Sequence, residues 1–177
     1  VGSEMCIRDR YIGNRSSGKQ GAEIAKCLQK LKADVTLVIG PANLDLSSLS
    51  RVIRVESAVQ MNNAVIEMGP FDIAICAAAV SDWRPKEKAK TKIKKSSISK
   101  PQFLELVENP DILKNICAAE NRPNLVIGFA AETNDLLTNA RLKLKNKGCD
   151  WIVANKVTAQ SNNTVSYTHL TLPTMLP

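Results

Sequence analysis

The stretch Tyr11-Ile-Gly-Asn-Arg-Ser-Ser-Gly-Lys-Gln-Gly21 decides the expected fold, because an apolar lead-in gives way there to small polar residues and then to a helical pattern. Ile24, Leu28 and Leu31 follow at the spacing of one helix face, so a helix is predicted to start near Gly18. A strand, a short turn and a helix N-terminus direct unpaired backbone N–H groups and the positive end of the helix dipole at one point. The stretch therefore predicts either an anion site or a plain turn between a strand and a helix.

Two familiar nucleotide-binding motifs do not fit this turn. The pattern Gly13-x-x-x-x-Gly18-Lys19 is followed by Gln20, where a P-loop needs Ser or Thr for Mg²⁺, and no G-x-G-x-x-G is present. The turn nevertheless offers two hydroxyl donors, Ser16 and Ser17. It also has two positions without a side chain, Gly18 and Gly21, where a phosphate or a neighbouring strand can come close.

Length and composition indicate one domain without a membrane segment. The 177 residues are 44% hydrophobic, and no apolar run is long enough to span a bilayer. The five cysteines are widely spaced without a C-x-x-C pair, which indicates small core residues in a reducing compartment, so we expect a cytoplasmic protein. The single histidine, His169, has no partner for a His-based catalytic site, and no metal-ligating residues are predicted.

The net charge of +7 is concentrated between Arg84 and Lys100, where eight basic residues accompany one acid, Glu87. Such a basic tract is most often a solvated or disordered segment and next most often a nucleic-acid contact. A third interpretation is a mobile lid that closes over a polyanionic substrate. Aromatic residues are nearly absent from the tract, which argues against a stacking platform for nucleic acid.

Apolar runs of strand length alternate with amphipathic helices along the rest of the chain. Strands are predicted at residues 33–40, 51–56, 71–80, 124–131 and 149–154, with a further apolar run at 103–107. Three later helices are predicted to begin at Ser57, at Asn109 with Pro110 in the first helical position, and at Thr133. The last should end before Gly148 and bury Leu136, Leu137, Ala140 and Leu144. The alternation predicts an α/β domain with three layers and a Rossmann-like, mostly parallel sheet.

Four segments at the openings of strands or helices carry polar or small residues: 14–18, 77–82, 109–112 and 128–133. Because all strand-to-helix turns of a parallel sheet lie at one edge, these segments are predicted to converge. Each also has an ordinary explanation. The alanines at 77–79 suit close packing, Asn109 suits a helix cap, and Phe129 suits a core.

Several segments of the chain resemble the signatures of bacterial phosphopantothenate–cysteine ligase, and they follow one another in the order and at the spacing of that family. This enzyme is the synthetase half of the coenzyme A biosynthesis flavoprotein. The resemblance covers most of residues 10–157. It is carried by the segments 11–19, 76–84, 92–95, 108–112 and 128–133, and by the pair Lys143 and Lys147 before Asp150.

The resemblance implies that 4′-phosphopantothenate is joined to L-cysteine through an acyl-cytidylate, with CTP converted to CMP and pyrophosphate. Mg²⁺ is implied together with the triphosphate, and FMN only in a fused decarboxylase partner domain outside this chain. A homodimer or higher oligomer of the full-length protein is also implied, without nucleic acid or membrane partners.

The resemblance also implies roles for particular residues. Lys92 should stabilise the first transition state, and Asn14 should act in the second half-reaction. Nucleotide contacts are implied for Ala78, Asp82, Phe129, Lys143 and Lys147, and backbone contacts for Asn109, Pro110, Asp111 and Ile112. Ser16, Ser17 and Gly18 should take phosphate.

The two ends of the chain depart from this pattern. Residues 1–9 and 165–177 resemble translated adapter read-through, so residues 10–164 are expected to be a partial ligase domain truncated at both ends. The strand that opens the family's domain is not found before Arg10, and it would sit at the centre of the sheet. The fragment is therefore expected to be inactive.

Two rival functions are considered beside the ligase. A basic nucleic-acid-binding module would use the tract between Arg84 and Lys100. An NAD(P)-dependent reductase on a similar sheet would need an acidic residue at the end of the second strand, where Gly40-Pro41 stands.

Overall fold

Strand and helix alternate through the residues that the computed structural model describes, which are 3–6, 11–14, 16–87, 104–132, 134–156 and 169–170. The first half contains β1 (Ser3–Cys6), β2 (Tyr11–Asn14), α1 (Lys19–Lys30), β3 (Thr36–Ile39), β4 (Arg51–Arg54), α2 (Ala58–Glu67) and β5 (Ile73–Cys76). The second half contains β6 (Trp83–Pro85), β7 (Leu106–Glu108), α3 (Ile112–Ala118), β8 (Leu125–Glu132), α4 (Leu136–Lys147), β9 (Trp151–Lys156) and β10 (His169–Leu170).

Parallel pairing dominates the strands that follow the alternating pattern. Strands β5, β8 and β9 are parallel neighbours in that order, and β3 pairs in parallel with β4. Antiparallel pairing joins β1 to β2, β6 to β7, and β10 to β9. The predicted α/β class with a mostly parallel sheet is confirmed.

Two apolar clusters hold the described elements together. One surrounds Val126 in the middle of β8, which is fully buried, and takes in residues of β5, β9, α3 and α4. The other joins the inner face of α1, at Ala22 and Ala25, to Ile39 of β3 and to two leucines of loop 41–50. Small alanines on the helices let the backbones approach the strands closely, as the three-layer arrangement requires.

Gly128, in the middle of β8, lies where side chains of α3 and β9 come close to the strand. A Cβ atom at this position would lie 2.8 Å from Leu113 Cδ2 and 2.8 Å from Ile152 Cδ1. Gly21 in α1 is the opposite case, because a Cβ there would have no neighbour within 4 Å. A side chain at Gly128 would therefore force Leu113 or Ile152 to shift, whereas the expected close approach of a strand at Gly21 is not found among the described residues.

The hairpin β6–β7 was not predicted. It follows the loop after β5, and it is extended beyond its strands by the backbone N–H of Lys86, which donates to Glu105 O at 2.9 Å. The Lys86 ammonium also pairs with the Glu105 carboxylate at 2.6 Å. Residues 86 and 105 are thus held side by side, while most of the basic tract between them lies outside the described residues.

Helix boundaries agree with the sequence at some caps and not at others. Ser57 caps α2 by accepting from the Gln60 N–H at 3.3 Å, and α4 ends at Gly148, which has a left-handed φ of 74°. The prediction that Asn109 caps α3 is wrong: Asp111 caps it, and Pro110 precedes the helix. Thr133 lies outside the described residues, and α4 begins after Asp135.

Several predicted core residues are in fact exposed. Leu31 is 78% exposed because α1 ends at Lys30, and Leu137 is 47% exposed on the outer side of α4. The predicted strand at 71–80 ends at Cys76, which leaves residues 77–82 as a loop. Cys27 is exposed, contrary to the expectation of core cysteines, whereas Cys149 is buried.

The terminal stretches contribute two short strands, β1 and β10, to the described residues. The domain limits at residues 10 and 164 stay a prediction. None of the helices in the described ranges is both long enough and apolar enough to cross a bilayer.

We predict opposite stability effects for alanine at two glycines. Gly128→Ala should lower the free energy of unfolding by about 1–3 kcal/mol, because its methyl group overpacks the contact with Leu113 and Ile152. Gly21→Ala should raise it by about 0.5–1 kcal/mol, because the helix gains rigidity and the methyl meets open space. Urea unfolding of the protein made at the full length of its gene measures both. Equal effects at the two positions would contradict the packing role of Gly128.

Candidate active site

The loop after β5 is fastened to the turn before α3 by the side chain of Asn109. The Asn109 carboxamide donates to Ser81 O at 2.8 Å and to Trp83 O at 3.3 Å, and its backbone N–H donates to Asp82 O at 2.8 Å. Arg84 donates in turn to Asn109 Oδ1 at 3.3 Å and to the Glu108 carbonyl. Two segments that were predicted to converge, 77–82 and 109–112, therefore meet.

This arrangement also explains the error in the predicted cap. Asn109 is a good helix cap by residue type, but its carboxamide is engaged by the loop at residues 81–83. The cap falls to Asp111, whose Oδ1 accepts from the Lys114 N–H at 3.1 Å. Pro110 lies half-buried between the two, and Ile112 packs against the core cluster around Val126.

The second carboxylate oxygen of Asp111 pairs with the ammonium of Lys147 on α4. Burial acts to raise the pKa of Asp111, but hydrogen bonds from Lys147 and from the Lys114 N–H outweigh it and hold the pKa below the ordinary value of 3.8. Asp111 is therefore ionised at neutral pH, and it links the beginning of α3 to the last turn of α4.

Lys143 lies one turn before Lys147 on the same face of α4. Its ammonium donates to Phe129 O of β8 at 2.7 Å. Both lysines are half-buried. This places two cations beside the C-terminal half of β8, which is the edge where open parallel sheets bind ligands.

An open concavity of about 720 Å³ lies in front of these lysines. Its lining comprises Asp111, Lys114, Glu132, Asn139, Leu142, Lys143, Asn146 and Lys147. Glu132 ends β8 and accepts from the Asn139 carboxamide at 3.1 Å. Glu132 lies within the predicted segment 128–133, whereas Asn139 and Asn146 were not predicted, although Asn139, Lys143 and Asn146 form a polar stripe at helical spacing.

The turn at Ser16–Gly18 ends in a left-handed glycine at the N-terminus of α1. Gly18 has a φ of 69°, in the left-handed region that favours glycine, and it precedes the first residue of α1. The hydroxyl oxygens of Ser16 and Ser17 accept from the N–H groups of Gly18 and Lys19 at 3.4 Å each. Both serines are exposed, and their hydroxyl hydrogens remain able to donate to a ligand.

Strand β2, whose last residue is Asn14, lies near β6 of the hairpin. Ala78 and Asp82 are exposed in the loop after β5. Lys92 lies outside the described residues, and of Asn14 only the backbone is described. Of the four segments, 77–82 and 109–112 meet directly, and Lys147 and Lys143 of α4 tie Asp111 to Phe129 of 128–133. The convergence of 14–18 with them, and the positions of the two predicted catalytic side chains, stay predictions.

The cysteines and carboxylates do not suggest further chemistry. Burial raises the pKa of Cys76 to about 12, and burial also raises the pKa values of Cys117 and Cys149, so these three thiols stay protonated at neutral pH. No group of three or more potential metal ligands occurs in the part of the chain that the structure describes.

Comparison with known proteins gives one consistent family. The profile of the family described as "DNA/pantothenate metabolism flavoprotein C-terminal domain" matches residues 7–172. The chain is 47% identical over 150 residues to the coenzyme A biosynthesis bifunctional protein CoaBC of Vibrio cholerae, covering 84% of this chain and 37% of that protein. It is 43% identical over 159 residues to CoaBC of Mycobacterium tuberculosis strain H37Rv, covering 84% and 38%.

Solved structures give the same result. A crystal structure of the C-terminal domain of CoaBC superimposes with a TM-score of 0.67 at 38% identity, covering 80% of this chain and 66% of that one. A DNA/pantothenate metabolism flavoprotein from Streptococcus pneumoniae, at 22% identity and a TM-score of 0.64, shares the fold. The chain spans less than two fifths of the length of the CoaBC relatives named above.

We predict that Asp111→Asn removes a pH-dependent part of the stability. Asparagine keeps the capping ability but loses the charge facing Lys147, so the free energy of unfolding should fall by about 0.2–1 kcal/mol at neutral pH. Because the pKa of Asp111 is depressed when folded, its contribution is present above the unfolded value of 3.8 and is lost as the pH falls through the folded value. The wild type and the variant should therefore converge in acid.

Urea unfolding at a series of pH values measures this difference. Asp34→Asn is the matched control, because Asp34 faces Arg51 at 3.7 Å with both side chains largely exposed. A difference between wild type and Asp111→Asn that persists unchanged in acid would exclude the charge as its cause.

Proposed function

The chain belongs to the family of DNA/pantothenate metabolism flavoprotein C-terminal domains, and on that premise we propose that it is the phosphopantothenate–cysteine ligase domain of a coenzyme A biosynthesis enzyme. The observation that carries the proposal is the pair Lys143 and Lys147, set beside the turn at Asn109–Asp111 in front of an open concavity. This is a cationic site with fixed backbone groups, as a nucleotide requires.

The proposed reaction has two steps. The carboxylate of 4′-phosphopantothenate attacks the α-phosphate of CTP, which forms the acyl-cytidylate and releases pyrophosphate. The amine of L-cysteine then attacks the acyl carbon and releases CMP. Both nucleophiles come from the substrates, so the protein has to position the reactants and neutralise charge.

The described residues suit the first step in distinct ways. Lys143 and Lys147 supply positive charge to the nucleotide, and the Asp111 carboxylate keeps Lys147 oriented until the nucleotide arrives. Ala78 is exposed and has a side chain small enough to leave room beside the loop. We assign the remaining nucleotide contacts to Asp82, to Phe129, and to the backbone of Asn109, Pro110, Asp111 and Ile112.

The turn at Ser16, Ser17 and Gly18 is proposed to take phosphate, supported by its exposed serines and by the start of α1 behind it. Lys92 is proposed to stabilise the charge that develops on the α-phosphate. Asn14 is proposed to act in the transfer to cysteine. Mg²⁺ would enter with CTP and be held mainly by the phosphate oxygens.

The wider setting of the domain is also a proposal. A fused decarboxylase with FMN would lie outside this chain, the full-length protein would be a homodimer or higher oligomer, and its location would be the cytoplasm. Residues 10–164 are the proposed extent of the ligase domain. The rival NAD(P)-dependent reductase is disfavoured because β3 is followed by Gly40-Pro41, with no acidic residue to bind a dinucleotide. Both rival functions are disfavoured because the family and the relatives above concern coenzyme A biosynthesis.

We predict that pyrophosphate release requires both 4′-phosphopantothenate and a nucleoside triphosphate, with CTP preferred over ATP. The measurement is made on the protein at the full length of its gene, with and without cysteine. In the same assay, Lys143→Met should weaken CTP binding by about ten- to a hundredfold, the range expected for hydrogen bonds to a charged group. Lys145→Met, on the exposed side of α4, should change it by less than about twofold, because exposed charges are screened. No pyrophosphate release with either nucleotide would refute the proposed function.

A second prediction concerns Asn14. Asn14→Asp preserves size but removes the N–H donor and adds a negative charge beside the proposed phosphate site. Formation of the acyl-cytidylate should survive, whereas transfer to cysteine should slow by orders of magnitude, so the intermediate should accumulate. Mass spectrometry of the quenched reaction detects it. If both half-reactions decline in parallel, Asn14 only shapes the turn.

A further inference from the structure

A single glutamine of α1 fastens a long loop that no step of the proposed reaction uses. The Gln29 carboxamide donates to Ser48 O at 2.7 Å, and its oxygen accepts from the Ser50 N–H at 2.9 Å and from the Ser50 hydroxyl at 2.8 Å. These are three short hydrogen bonds from one side chain to residues about twenty positions away. A carboxamide is required for the set, because the side chain must both donate and accept.

The loop that Gln29 fastens, residues 41–50, is built into the core beside α1. Leu46 and Leu49 are 6% and 8% exposed and pack in the same cluster as Ala22 and Ala25 of α1. The opposite end of the loop is held less firmly, by Arg54, which donates to Ala42 O at 3.4 Å. The loop is therefore held beside α1 by the hydrogen bonds of Gln29 and by the packing of Ala42 and its leucines in this cluster.

The same loop forms the wall behind the phosphate turn. A Cβ atom on Gly18 would lie 3.2 Å from Ala42 Cβ, 3.2 Å from Ile39 Cδ1 of β3 and 3.4 Å from Leu44 Cδ1. The left-handed Gly18 is thus backed by β3 and by the loop that Gln29 holds at its far end. If Ala42 and Leu44 move away, only Ile39 remains behind Gly18, and the turn is less restricted.

We propose that Gln29 is a positioning residue for the turn at Ser16–Gly18, acting through loop 41–50. The proposal rests on the proposed function in one respect, since it takes this turn as the place where phosphate binds. Gln29 itself lies at the C-terminal end of α1 and contacts no part of the turn. Its effect is to keep Ala42 and Leu44 against Gly18, so that the N–H groups at the start of α1 are aligned before the ligand arrives.

The first test compares Gln29→Leu with Lys30→Leu in the protein made at the full length of its gene. Lys30 is the exposed neighbour of Gln29 on α1, so its substitution is a matched loss of polarity. Gln29→Leu should raise the KM for CTP and the Kd for inorganic pyrophosphate by about tenfold, while kcat stays within about twofold. Lys30→Leu should change none of these values. Unchanged KM and Kd values in a folded Gln29→Leu protein would overturn the proposal.

A double-mutant cycle with Leu44→Ala shows whether the effect passes through the loop. If it does, Gln29→Leu should have little further effect on the pyrophosphate Kd once Leu44 is truncated, because the wall is already lost. A role of Gln29 in general stability would instead give additive effects on binding and on thermal unfolding. Additivity in both would overturn the proposal.

A third measurement separates this proposal from the ligase assignment. Amide hydrogen exchange at Gly18 and Lys19 requires no activity, and Gln29→Leu should accelerate it by about tenfold while leaving β8 unchanged. If the wild type fails to turn over CTP but this local acceleration occurs, the ligase assignment fails and the positioning role stands. Exchange at Gly18 and Lys19 equal to that of the wild type would refute the positioning role.

Discussion

The carboxylate of Asp111 is the interaction on which the candidate site depends. One oxygen accepts from the Lys114 N–H, which has no partner within the first turn of α3. The other oxygen pairs with the ammonium of Lys147 on α4. A neutral or shorter side chain would satisfy at most one of these partners. Because α3 and α4 both pack on β8, this carboxylate fixes the cationic side of the concavity relative to the sheet edge. The cation remains available to an anionic ligand because the pair is only partly buried.

The general fold could be predicted from sequence because its signals are local. Apolar runs gave β3, β4, β5, β8 and β9, and the spacing of Lys143 and Lys147 placed both on one helix face. The convergence of the loops at 77–82 and 109–112 followed from the parallel sheet alone. The sequence pattern could not show that the Asn109 side chain bonds to Ser81 and Trp83 and does not cap α3. These two partners are distant in sequence, and their hydrogen bonds outweigh the preference of asparagine for a helix cap.

The hairpin β6–β7 and the polar lining escaped prediction for related reasons. Three-residue strands carry too little periodicity to be recognised, and the partner of Trp83–Pro85 begins only at Leu106. Glu132, Asn139 and Asn146 are ordinary surface residues by type, and only the folding of α4 onto β8 gives them a shared concavity. Leu31 and Leu137 fit the apolar spacing of their helices but lie outside the faces that pack on the core. Sequence spacing alone does not reveal where those faces end.

The contact between Lys86 and Glu105 joins the two described ends of the stretch that contains most of the basic tract, residues 84–100. Because Lys86 and Glu105 lie side by side, the chain between them has to leave and return at one contact and so forms a closed loop. The entropy of closing such a loop depends weakly on its length, since doubling the length costs only about 0.6 kcal/mol. Insertions and deletions in the tract should therefore be tolerated across related sequences, while the hairpin that anchors it should not vary in register. The anchor thus fixes where the chain leaves the hairpin and where it returns, whatever number of residues lies between.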